Sequence, residues 1–303
     1  MTDGMTDAVT GAVADWQARG TYRELCGHRV FTMEAPALGP ETAEPLLVLH
    51  GFPTSSYDYA AVLDGLRANR RVLCFDMLGY GLSDKPDLAY TMALQADIAE
   101  AFVADAGVDA LAVLSHDMGN TVGGELLARH ADGAWAVEIT RRVVTNGSIY
   151  IEMAQLTAGQ QMLLALPDEV LDPALAPDEA ALAVALRATF SPHSTIPDRE
   201  LRTHAAMICH DAGNLVLARL IRYIEERRRT QGRFTGAIET HPAPLGVVWG
   251  LDDPIAVAPM AQRLQEARPD ATVVHLDRVG HYPMVESPAR FLGAVLPMFG
   301  EAI

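Results

Sequence analysis

The sequence predicts an α/β protein, one mostly parallel sheet with helices on both faces, interrupted by an all-helical insertion. Three observations carry this. Short apolar runs, polar on neither face, recur through the first half; they alternate with longer stretches of helical spacing; and after about Ser148 the alternation stops, to resume only after about His241.

Taken in order, PLLVLHG, RRVLCFD, LAVLSHD and RRVVTNG each read as a buried strand bounded by turn residues. IEMAQLTAGQQMLLAL, DEAALAVALRATF and NLVLARLIRYIEERRR then place apolar residues at three- and four-residue intervals, which predicts helices and no strand. PLGVVWG and ATVVHLD restore the sheet, and FLGAVLPMF predicts a closing helix. The chain therefore divides into a core, 1–147 and 241–303, and a helical cap, 148–240. No internal repeat or low-complexity tract interrupts it.

With 303 residues, half of them apolar, a single core carrying a substantial insertion is the economical reading. The formal charge of −16 argues against nucleic acid or anionic membrane as partners, since both would repel such a surface. Cys26, Cys74 and Cys209 are odd in number and far apart, which suggests neither a disulfide framework nor a zinc cluster and fits a reducing cytoplasm. The opening MTDGMTDAVTGAVADW has acids where a signal peptide needs positive charge, so a cytosolic protein without membrane insertion is expected. His204, His210 and Asp211 form no convincing ligand set, and neither metal nor cofactor is expected. Arg227, Arg228 and Arg229, following Glu225 and Glu226, read as a solvated helix face.

The chemistry concentrates at Ser115-His116-Asp117-Met118-Gly119. Small residues stand two before and two after the central one, an apolar strand precedes, and the helical pattern TVGGELLARH follows. That is the setting of a nucleophile elbow, whose crowded backbone admits only small neighbours and pushes the central side chain out at the sheet's carboxyl edge. Here the central residue is an acid, Asp117. Ser115 occupies a small-neighbour position, and His116 reads as locally packed. The loop His50-Gly51-Phe52-Pro53 follows the first strong strand, so the N–H groups of Phe52 and Met118 are the candidate oxyanion hole. His50 is expected to brace that loop, and Asp76 to fix the turn after its strand. Late in the chain VVWGLDDP and VGHYP make His281 the candidate general base and Asp253 its orienting acid. Asp252 is the competing neighbour, and Glu152 a second alternative for the orienting role.

HGFPTSSYDY, DMLGYGLSDKP, SHDMGN, WGLDDP and GHYPMVESP together resemble the α/β-hydrolase superfamily over nearly the whole chain. Specifically they resemble its aspartate-nucleophile branch of epoxide hydrolases and haloalkane dehalogenases, and within it the mesoderm-specific transcript protein group. The resemblance implies two steps. Asp117 displaces a leaving group at sp³ carbon and becomes an alkyl ester; water activated by His281 then hydrolyses that ester. With an ordinary value near 6.5, His281 is expected to be largely neutral at pH 7.

The leaving group decides between branches. Dehalogenases resembling this chain usually carry asparagine at the position of Phe52 and tryptophan at that of Met118, and this chain has neither. An epoxide oxygen needs an acid instead, which relatives supply from lid tyrosines. Tyr223 resembles one of these in its spacing from Asp253; Tyr150 stands earlier than the usual second. The leading expectation is an epoxide hydrolase acting on a small, mostly apolar molecule, with water as co-substrate. Alternatives are a dehalogenase with unusual halide donors, an esterase, or a non-catalytic small-molecule receptor on the same fold. Oligomeric state is not legible.

Overall fold

The computed structural model describes residues 2–300. Its strands are β1 (Thr21–Leu25), β2 (His28–Ala35), β3 (Leu46–Leu49), β4 (Val72–Phe75), β5 (Ala110–His116), β6 (Glu138–Thr145), β7 (Leu245–Gly250) and β8 (Thr272–Leu276). They form one eight-stranded sheet in the order β1-β2-β4-β3-β5-β6-β7-β8. β2 runs antiparallel to both β1 and β4, and all other neighbours are parallel. The α/β-hydrolase fold expected from the sequence is thus the fold observed.

The helices are α1 (Thr2–Gln17), α2 (Leu63–Leu66), α3 (Met92–Asp105), α4 (Met118–Ala131), α5 (Ala158–Ala165), α6 (Glu179–Arg187), α7 (Asp198–Cys209), α8 (Leu217–Leu220), α9 (Tyr223–Thr240), α10 (Pro259–Ala267), α11 (Pro283–Glu286) and α12 (Pro288–Met298). No helix among the described residues is long and apolar enough to cross a membrane.

Every residue of β3, β4 and β7 is buried, as strands covered on both faces require. The six strands β3 to β8 and the closing helix α12 fall on the apolar runs read from sequence. The β1–β2 hairpin does not, because half-exposed TYREL lacks such a run. Its available signal was the two-residue turn Cys26–Gly27, with φ of 51° and 79°.

Between β6 and β7 the chain is helical, without strands. Local sequence explains the helix starts. Thr157 and Gln160 form a reciprocal capping box on α5, and the Asp178 side chain accepts from Ala181 N at α6. The last inserted helix, α9, departs from helical backbone at Thr230 and packs along α4, directly behind the elbow.

α1 also lies outside the sequence expectations, and it packs against α7 of the insertion. Its anchor is Trp16, 2% exposed, whose ring meets Tyr57 edge-on at 5.5 Å. Replacing this side chain opens a cavity between α1, the loop after β3 and the insertion. Trp16→Ala is therefore expected to lower unfolding stability by about 3 kcal/mol, read from the urea midpoint at unchanged m-value.

Candidate active site

Asp117 stands between β5 and α4 at φ 48°, ψ −114°, a backbone strained for a residue with a Cβ. Its N–H donates to Asn146 O at 2.9 Å. The turn is possible because its neighbours are bare. A Cβ on Gly119 would come within 2.6 Å of the carbonyl oxygens of both Leu49 and His50, and one on Gly147 within 2.7 Å of Asp117 Cα. Ser115, the other small neighbour, donates its hydroxyl to Asn120 Oδ1 at 2.7 Å and is buried.

The Asp117 carboxylate, 2% exposed, accepts the Phe52 N–H at Oδ2, 3.0 Å away. Met118 opens α4, where the first N–H groups of a helix have no intrahelical acceptor. Its side chain is fully buried, and its Sδ accepts the Tyr80 hydroxyl at 3.1 Å. His281 Nε2 lies 3.8 Å from Asp117 Oδ1, and His281 Nδ1 lies 2.8 Å from Asp253 Oδ2. Asp253 is fixed in turn. Its Oδ1 accepts from Ile255 N and Ala256 N, and its Oδ2 from Asn146 Nδ2. The neighbouring Asp252 instead accepts from Ser191 in the insertion. Glu152 is paired with Arg263 at the surface, so it does not take the orienting position.

Electrostatics correct one expectation. Burial alone would hold the His281 imidazole down, but the charge and hydrogen bond of Asp253, with Asp117 beside it, raise it to about 9. At pH 7 the resting site therefore contains an imidazolium between two carboxylates, not a neutral ring. Its neighbour His116 goes the other way. Burial and the His281 charge press it to about 4, so it stays neutral and its Nε2 donates to His281 O at 2.8 Å.

Tyr223, at the start of α9, is buried and tilted against Phe52 at 5.7 Å between ring centroids. Burial, then the Asp117 charge, push its phenol well above 10, so it keeps its proton. Tyr150 is a correction. Its hydroxyl donates to Glu239 at 2.7 Å and Arg263 covers its ring at 4.0 Å, so it is held at the C-terminal end of α9, the end opposite Tyr223. Arg227 is another: only Arg228 and Arg229 are solvated, while Arg227 is 2% exposed behind the elbow. The missed signal was its position four residues after Tyr223, on the buried stripe of that helix. His50 accepts from Met77 N, and Asp76 accepts from Ser56 N and Leu82 N, the bracing roles expected.

A cavity of about 250 Å³ lies between the carboxyl edge of the sheet and the insertion. Phe52 and His281, the residues against the Asp117 carboxylate, form one end with Tyr282; Leu163, Leu182 and Leu186 form much of the other. Its wall is almost wholly apolar.

The alpha/beta hydrolase fold family matches residues 44–288. LipZ of Mycobacterium tuberculosis is 37% identical over 288 residues, covering 95% of this chain and 98% of that protein. The mesoderm-specific transcript protein of Mus musculus is 32% identical over 294 residues, covering 94% and 87%. Among solved structures, the epoxide hydrolase CorEH superposes with a TM-score of 0.72 over 93% of this chain and 98% of its own; at 17% identity that likeness concerns the fold alone.

The raised imidazole makes folding pH-dependent. An unfolded histidine titrates near 6.5, so the His281 contribution is complete below that pH and is lost as pH rises through about 9. Thermal melts between pH 6.5 and 9 should show a decline in stability that is smaller in His281→Gln than in the natural protein.

Proposed function

The chain belongs to the alpha/beta hydrolase fold family, and on that premise we propose that it opens a small apolar epoxide through a covalent ester on Asp117. The observation that carries this is the elbow. A carboxylate occupies the nucleophile's place, takes the Phe52 N–H and faces an imidazole that is itself oriented by Asp253. A carboxylate is a poor acyl-transfer nucleophile but a competent one at sp³ carbon held in line.

In the first step an Asp117 oxygen bonds to a ring carbon, the C–O bond breaks, and its electron pair goes to the oxygen. Tyr223 gives that oxygen a proton. Its phenol is then restored by the proton of the His281 imidazolium, directly or through solvent. Loss of the Asp117 charge favours that release, because one of the carboxylates holding the imidazolium protonated has become an ester. The now neutral His281 takes a proton from water as the water oxygen attacks the ester carbonyl, with the N–H groups of Phe52 and Met118 taking the developing charge. Collapse releases a diol and regenerates the Asp117–His281 ion pair.

The cavity bears on the substrate. Since roughly 150 Å³ of apolar void accommodates benzene, 250 Å³ suits a molecule of about ten carbon-sized atoms. Phe52 and His281, which both touch the carboxylate's surroundings, line the end of the cavity nearest to it. A halide would need side-chain N–H donors, and neither Phe52 nor Met118 provides one, which disfavours the dehalogenase reading. Tyr282, packed on His281 and donating weakly to Phe52 O, closes the same end of the cavity.

Two experiments test this. With an apolar aryl epoxide, His281→Gln should accumulate an adduct on the peptide containing Asp117, and one turnover of the natural protein in ¹⁸O water should label that carboxyl group. Label confined to the diol would mean direct attack by water and sink the ester route. Tyr223→Phe should slow adduct formation by about 100-fold while leaving hydrolysis of a preformed adduct little changed, as rapid-quench kinetics would resolve.

A further inference from the structure

Arg227 is a buried cation whose hydrogen-bond partners are all uncharged. Its Nε donates to Thr121 Oγ1 at 2.8 Å, its Nη1 to Ser148 O at 2.8 Å, and its Nη2 to Thr121 Oγ1 and, at 3.5 Å, to the backbone carbonyl of Asp117. It has no ion-pair partner within 4.0 Å among the described residues. Burying a guanidinium without a carboxylate is costly, and structure alone could have used an apolar side chain there. The anion within its electrostatic reach is Asp117, and its own helix adds the face of Tyr223, 5.2 Å from ring centroid to guanidinium carbon.

Charge counting shows what such a cation does. At rest the site holds Asp117 and Asp253 as anions and His281 and Arg227 as cations, a neutral set. Once Asp117 is an ester and His281 has released its proton, Asp253 and Arg227 still cancel. When water attacks, the new oxyanion is matched by the His281 imidazolium. Without Arg227 each stage carries an extra negative charge in a dry pocket, where such charge is least tolerated.

We propose that Arg227 is a positioning residue that the insertion delivers to the back of the elbow as the standing countercharge of Asp117, so that ester formation requires α9 docked on α4. This rests on the ester reading. The remaining titratable groups near the pair are Tyr223 on α9, Tyr80 after β4, His116 at the end of β5, which burial keeps neutral, Tyr282 and His281 after β8, and Asp253 after β7. The phenols stay protonated, which leaves Asp117, Asp253 and His281 as the charges that Arg227 balances.

The test uses the His281→Gln chain, in which ester accumulates, with styrene oxide as probe and adduct on the Asp117 peptide followed by mass spectrometry across pH. Adding Arg227→Gln, which keeps hydrogen-bond donors but removes charge, should slow adduct formation by about 100-fold and move its acid limb to higher pH. Adding Arg227→Lys should restore most of the rate and the limb, and Thr121→Val, which removes both bonds to the Thr121 hydroxyl but leaves the charge, should keep the limb in place. Rate and limb unchanged in Arg227→Gln would overturn the countercharge while leaving the ester intact. Loss of rate with an unmoved limb, equal in Gln and Lys variants, would reduce Arg227 to packing. If the His281→Gln chain forms no adduct, the ester reading falls and the inference with it.

Discussion

The whole site depends on one strained backbone. Asp117 at φ 48° occupies a conformation that costs a side-chain-bearing residue about 1–3 kcal/mol, and that strain persists only because surrounding structure leaves no alternative. β5 delivers the residue from below, α4 departs above, Asn146 holds its N–H, and the bare positions 119 and 147 let two backbones close over it. The result is a carboxylate aimed out of the sheet edge toward the Phe52 N–H and His281.

From that fixed point the electrostatics follow. Two buried carboxylates on either side of one imidazole raise its proton affinity to about 9, whereas His116, packed against the same ring at 4.9 Å, is driven to about 4. Two histidines in contact thus differ in charge at neutral pH, because at His116 burial and the His281 charge outweigh the pull of Asp117 and Asp58. Asn146 links the two carboxylates mechanically, its backbone holding Asp117 and its amide holding Asp253. A displacement of β6 relative to both of its neighbours, β5 and β7, would loosen both at once.

The insertion is less a separate lid than its sequence suggests. α9 packs along α4, and its Arg227 and Arg233 bond to Thr121 and Glu125 of that core helix, so much of α9 belongs to the core layer. The wall of the cavity comes instead from α5, α6 and α8, which bring apolar side chains over an edge where the loop after β3 contributes Phe52 and Pro53. A second tie joins insertion and core on the far side, where His204 on α7 meets Asp58 at 3.3 Å beneath Tyr57 and Trp16.

Local sequence was enough for the parallel strands β3 to β8, because strands buried on both faces must be apolar along their length. It was also enough to bring Asp117, Asp253 and His281 to neighbouring strand ends, because the elbow and the loops there are short and their residue types are constrained by backbone geometry. Periodicity could not reveal β1 or α1, whose faces are half solvated, nor tell Tyr150 from Tyr223, since which tyrosine comes to rest against Phe52 is set by packing between elements far apart in sequence. The fate of Arg227 and the proton on His281 were decided by tertiary structure alone. Charge state and burial depend on what approaches through space, and the carboxylates and helix faces that approach here lie 28 to more than a hundred residues away.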